Sequence, residues 1–171
     1  MQTFSFALRG LVLALAVLAP LAASAQFFKD NPDWKETEAP PPPAYDVAKL
    51  MTFKVNGGQS IVYGVDPASI SVTKADSVVR YVIVATSASG VRNVMYEGLH
   101  CATGEMKTYA REFAGKWEPT TNPQWQSVFG NMPSTHALAF AKAGACDGAA
   151  PGGTAAEIAA RVKDFGLYRD Q

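Results

Sequence analysis

Apolar and polar residues follow one another along this chain in three rhythms, each predicting a different structure. Residues 11–19, Leu-Val-Leu-Ala-Leu-Ala-Val-Leu-Ala, are uninterrupted and apolar; they follow a short segment whose one cation is Arg9 and precede Pro20 and Ala23-Ser-Ala25. A charged start, an apolar centre and a small-x-small end are the parts of a cleavable secretory signal. The run is short for a bilayer span of roughly 20 residues, and Pro20 interrupts it. Cleavage after Ala25 is therefore expected, and no cysteine follows that could take a lipid anchor.

From residue 50 the rhythm changes to short β-branched and aromatic runs separated by turn residues, the pattern of an antiparallel meander. Strands are expected over 50–55, 60–65, 69–73, 78–86, 91–100 and 106–113. Asn56-Gly57-Gly58 marks a hairpin, because Asn and Gly tolerate positive φ. Turns are expected at Asp66-Pro67-Ala68, where proline presets φ, and at Lys74-Ala-Asp76. The run 78–86 is the longest and predicts the central strand. Beyond Gly115 the alternation gives way to Trp117-Glu-Pro-Thr-Thr-Asn-Pro123, which reads as a loop, with a turn from Trp125 plugging the apolar face.

The third rhythm is helical. Ser134 is placed to cap a helix over 135–143 that Gly144 stops. Thr154-Ala-Ala-Glu157 is a capping box for a last helix ending near Phe165, with Ile158, Val162 and Phe165 on one stripe. Between them, Gly148-Ala-Ala-Pro-Gly-Gly153 reads as a flexible linker; it lacks the Gly-Lys-Ser/Thr ending of a phosphate loop.

The expected organisation is a signal peptide over 1–25, a proline-rich tether over 26–44, a domain over 45–147, and a linker with a C-terminal helix over 148–171. The fold class is α+β: an antiparallel sheet of about six strands with the C-terminal helices on one face. In the tether, Pro40–Pro43 dictates an extended, polyproline-like course, and Trp34 either docks on the domain or forms a short recognition motif.

Charge and cysteine count narrow the function classes. The chain has 15 basic and 15 acidic residues, so nothing in its charge calls for nucleic acid or an anionic surface as partner. The two cysteines, Cys101 and Cys146, are an even number in an exported chain, which favours a disulfide. A zinc site with His100 and His136 matches no ligand spacing, and His100 and Cys101 would point to opposite faces of a strand. No metal or cofactor is expected. There is no Gly-x-Ser-x-Gly elbow, and His100 and His136 have no evident catalytic partners. Glu97 is the acid inside the strongest strand region; it is expected to pair with Arg80 or Arg92 across strands. Trp117, Trp125, Tyr96 and Tyr109 would make a sugar-stacking face only if exposed and coplanar.

One set of residues resembles a known family: Val65-Asp-Pro-Ala-Ser-Ile70, Val78-Val-Arg-Tyr-Val82, Ser89-Gly90, Asn93-Val-Met-Tyr-Glu-Gly98, Cys101 and Tyr109-Ala110, with Trp117 behind them. Over residues 34–146 they are similar to the CNP1-like family, exported proteins of Gram-negative bacteria; residues beyond 149 fall outside the similarity. The resemblance implies a periplasmic or envelope address and carries over no catalytic residue. The functional expectation is a non-catalytic envelope module that binds a protein or glycan partner through Arg80, Tyr96, Glu97 and Trp117. The alternatives are an envelope carbohydrate or peptide hydrolase using Glu97 as acid or base, and a surface-exposed, adhesin-like or membrane-active factor.

Overall fold

An eight-stranded sheet and two helices give the α+β architecture its form, in a computed structural model that describes residues 32–53, 55, 60–130 and 135–169. The signal peptide, the Asn56-Gly57-Gly58 hairpin and the Ser134 cap lie outside the described residues. The strands are β1 (Met51–Phe53), β2 (Ile61–Val65), β3 (Ser71–Thr73), β4 (Val78–Ser87), β5 (Arg92–His100), β6 (Glu105–Phe113), β7 (Lys116–Pro119) and β8 (Gln126–Ser127). They form one antiparallel sheet in the order β1-β2-β4-β5-β6-β7, with β3 also pairing β4 and β8 pairing β6.

All six expected strands are present. β4 is central as its sequence requires: every residue from Val78 to Ala85 is buried, because this strand is covered on both faces. The segment read as a loop after Gly115 instead begins with β7, which folds back on β6 through a turn in which Ala114 (φ 49°) and Gly115 (φ 75°) are both left-handed. Two adjacent positive-φ residues define a tight hairpin turn. Alanine in the first position carries no turn signature, so the hairpin was not legible.

Segments on either side of the sheet strands in sequence cover its two faces. On one face, odd-numbered β5 residues Met95 and Leu99 join Phe53, Val65, Tyr81 and Ile83 under helix α1 (His136–Phe140), a π turn over Ala141–Ala145, and helix α2 (Ala155–Arg169). Phe140 fills the centre, 4.4 Å from the Tyr81 ring and 5.8 Å from that of Phe53, centroid to centroid. Gly144 (φ 129°) stops the π turn where α2 passes; a Cβ there would meet the Arg161 side chain. The capping box closes as expected, with Thr154 N–H donating to Glu157 Oε2 at 2.7 Å and Glu157 N–H to Thr154 Oγ1 at 3.4 Å.

The glycine-rich stretch is a hairpin and not a linker. β9 (Cys146–Asp147) pairs with β10 (Ala150–Pro151) around Gly148, and Ile158 and Val162 are fully buried in the sheet's core. α2 is therefore part of the same domain, because its apolar stripe finds the sheet directly. Cys101 and Cys146 are joined in a disulfide, Cα to Cα 5.7 Å, tying the end of β5 to the chain leaving the π turn. Among the described residues, no helix is long and apolar enough to cross a membrane.

Val82, Val84, Val94, Tyr96 and Ala110 make a smaller core on the opposite face, under Tyr45, Leu50, Tyr109 and Trp117. Residues 32–44 run there without regular structure.

Candidate functional site

Two polar clusters are buried in an otherwise apolar sheet, one on each face. On the helix-covered face, Glu97 is fully buried. Register explains its partners: Glu97 stands opposite Tyr81, while Arg80 stands opposite Gly98. Adjacent positions on a strand face opposite sides, so the expected pairing of Glu97 with Arg80 or Arg92 does not form. Glu97 instead accepts hydrogen bonds from His136 Nε2 (2.9 Å to Oε2, 3.1 Å to Oε1), Tyr81 Oη (3.1 Å) and Thr108 Oγ1 (3.4 Å). The His136 ring also stacks on Tyr63, with 8° between planes.

This pair floors a groove of about 420 Å³. Ile61, Ala85, Val91 and Met95 give it apolar walls, and Asn93 and Arg111 stand among its polar lining.

Burial, the largest influence on His136, pushes its pKa down, but the Glu97 charge and hydrogen bond outweigh it and hold the pKa above the usual histidine value of 6.5. His100, on the opposite face, is shifted below 6.5 by burial, against the pull of Glu105, Asp76 and Glu36. The signs are opposite. The raised group contributes stability that is present below about pH 6.5 and lost as pH rises through its folded pKa; the depressed group's contribution is present above about pH 6.5 and lost as pH falls. Urea midpoints measured from pH 5 to pH 9 are expected to show His136→Gln removing the alkaline decline and His100→Gln the acid one. Identical pH profiles for the wild type and His136→Gln would contradict the ion pair.

The other face carries Arg80, also fully buried. Its Nη2 donates to Asp76 Oδ2 at 2.8 Å and to the Thr37 carbonyl at 3.3 Å, and its Nη1 donates to Thr73 Oγ1 at 2.7 Å. Asp76 is held at a turn by Val78 N–H (3.1 Å) and also accepts from the Thr37 amide and hydroxyl. Burial pushes its pKa up most strongly, but the bonds from Arg80, Thr37 and Val78 together bring it down to about 2.

Glu36 completes the cluster. It accepts from Lys107 Nζ (2.5 Å), Tyr109 Oη (2.7 Å) and Trp125 Nε1 (3.1 Å), with Arg80 Nη2 at 3.9 Å. Trp34 docks alongside, its Nε1 donating to the Asp76 carbonyl at 2.8 Å and its ring stacked on His100 at 4.1 Å.

The four residues singled out from sequence thus do not share one surface. Arg80 and Tyr96 are buried on the tether-covered face; Glu97 is buried on the other; Trp117 is half-buried, edge-on to Tyr45. Nor do the aromatics make one coplanar face: Tyr96 packs on Tyr109, and Trp125 meets Trp34 edge-on. His136, Asp76 and Glu36 were not selected as partners. Their signal is indirect: Arg80 and Glu97 are charges inside apolar strands, and a buried charge requires a partner. Among the described residues no group of three or more His, Cys, Asp or Glu side chains is placed to hold a metal ion.

A family model described as the CNP1-like family matches residues 29–163. That span takes in Trp34, Glu36 and most of α2, and so is wider than the 34–146 resemblance. No curated protein matches the chain. No solved structure matches it either.

Proposed function

The chain belongs to the CNP1-like family, and we propose that it is an exported, non-catalytic module of the cell envelope whose ligand seat is the groove above Glu97 and His136. The observation that carries this reading is a buried, fully engaged ion pair at the base of an open, mostly apolar groove. Apolar walls with a few fixed polar groups are the usual makeup of a binding site. The Glu97 carboxylate accepts from three side chains at once, an arrangement that favours fixing the groove floor over exchanging a proton with a substrate. This favours a binding role over hydrolysis with Glu97 as acid or base. The signal-like pattern over residues 1–25, the disulfide and the exported character that the family resemblance implies support the envelope address.

Asn93 is exposed and lines the groove, so Asn93→Trp narrows it without touching the core. Protein isolated from the periplasmic fraction is expected to retain a ligand or partner, seen by native mass spectrometry or crosslinking, that Asn93→Trp loses by at least about tenfold, corresponding to roughly 1.4 kcal/mol. Equal retention by both proteins would remove the groove from the function.

A further inference from the structure

The contacts of Glu36 have the form of a receptor holding a linear motif. On the sheet side stand Lys107, Tyr109, Trp125, Arg80 and His100, from β4, β5, β6 and the segment before β8. These groups also contact one another directly: the Arg80 guanidinium lies 5.7 Å from the Tyr109 ring centre, and Lys107 Nζ lies 5.6 Å from that of Tyr109 and 5.3 Å from that of Trp125. Gly98 makes room for the phenol, because a Cβ there would collide with Tyr109 Oη. A register shift between Tyr96 and Glu97 leaves Tyr109 as the extra residue of β6.

On the tether side, Trp34, Glu36 and Thr37 reach into this cluster. Among the described residues, 32–45 make no backbone-to-backbone hydrogen bond to the sheet. Pro40–Pro43 have no N–H groups to donate to a ladder. The segment is thus held by its side chains and by the Thr37 amide and carbonyl, which bond the Asp76 and Arg80 side chains, with no strand ladder, the kind of attachment that opens well below global unfolding. Arg80 Nε is buried without a hydrogen-bond partner among the described residues, so the sheet side has a donor that the tether does not use.

We propose that this cluster is a peptide-recognition site for an extended segment bearing an indole two residues before a carboxylate, and that Trp34-Lys-Glu36-Thr37 occupies it in cis until a partner segment of the same chemistry displaces it. The indole would stack on His100 between Asp76 and Trp125, and the carboxylate would take the Lys107, Tyr109 and Trp125 donors. This site lies on the opposite face from the groove and does not depend on it.

The probe is a fluorescent synthetic peptide with the sequence of residues 32–44, titrated by anisotropy into the full chain carrying Trp34→Ala and Glu36→Ala. It is expected to bind this protein about tenfold or more tighter than the wild type, whose own tether competes at an effective concentration in the millimolar range. Adding Lys107→Glu, or changing the peptide residue that corresponds to Glu36 to Gln, is expected to abolish binding. If the double variant does not fold, Glu36→Gln alone releases the charge contact and the same comparison is made with it. No binding to a folded, tether-disabled protein overturns the proposal, as does binding that ignores both Lys107→Glu and the loss of the peptide carboxylate.

Discussion

Replacing Arg80 by methionine is expected to lower the free energy of unfolding by about 3–5 kcal/mol, the range for breaking a buried ion pair by removing one partner. Methionine fills much of the vacated volume, so the loss arises from what is left behind: Asp76, with no side-chain exposure, would keep its charge without the guanidinium. Thr73 Oγ1 and the Thr37 carbonyl would lose a donor as well. The charge origin can be separated from packing by pH. In the wild type the Asp76 pKa is depressed from 3.8 to about 2, so its contribution is present above about pH 4 and lost as pH falls toward 2, about 2 kcal/mol in all. Without Arg80 the main partner holding that pKa down is gone, so the stability gap between wild type and Arg80→Met is expected to narrow between pH 4 and pH 2. The double variant Arg80→Met/Asp76→Asn is expected to recover part of the loss. A gap that stays constant with pH, with no recovery in the double variant, would place the effect in packing.

How much of this was legible in sequence follows from the range of the interactions involved. Turn chemistry and β-branched runs are local, so Asp66-Pro67-Ala68, the Val78 strand and the Thr154–Glu157 box were all readable. The disulfide was readable because an expected export signal and an even cysteine count leave few alternatives. Face assignment was not, since a one-position change in register turns a side chain to the other side. Glu97 therefore read as a neighbour of Arg80, when the two are separated by the thickness of the sheet. The Glu36 contacts span 71 residues to Lys107, 73 to Tyr109 and 89 to Trp125, and no local pattern in a proline-rich segment encodes them. What sequence did offer was the oddity of one arginine and one glutamate inside otherwise apolar strands, which predicts that partners exist without naming them.

The two buried pairs also divide the molecule's sensitivity to its surroundings. Arg80 and Asp76 stay ionised through the neutral range and hold the tether's seat there, whereas the His136 charge is lost on the alkaline side. The groove floor thus responds on the alkaline side through His136, and the tether's seat on the acid side through His100.

Removing the disulfide, as Cys101→Ala/Cys146→Ala, is expected to cost about 2–4 kcal/mol. The bond joins residues 45 apart in sequence, and the chain-entropy model assigns a loop of this size about 4 kcal/mol, an upper figure because native strain is left out. The loss should be unevenly distributed. β5 and β6 remain joined by their own ladder, but β9 has β10 as its strand partner among the described residues, in a two-stranded hairpin, which is marginal in isolation. Amide exchange is therefore expected to rise first in α1, the π turn and β9–β10, and to leave β4 and β5 protected. Dithiothreitol should lower the urea midpoint of the wild type toward that of the double variant and leave the double variant unmoved. The same expectation makes the fold sensitive to redox conditions: chain made in a reducing environment should resemble the reduced protein, and chain made in an oxidising one the oxidised protein. A loss below about 1 kcal/mol would mean that Phe140, Ile158 and Val162 hold this end of the molecule by packing, with the crosslink adding little.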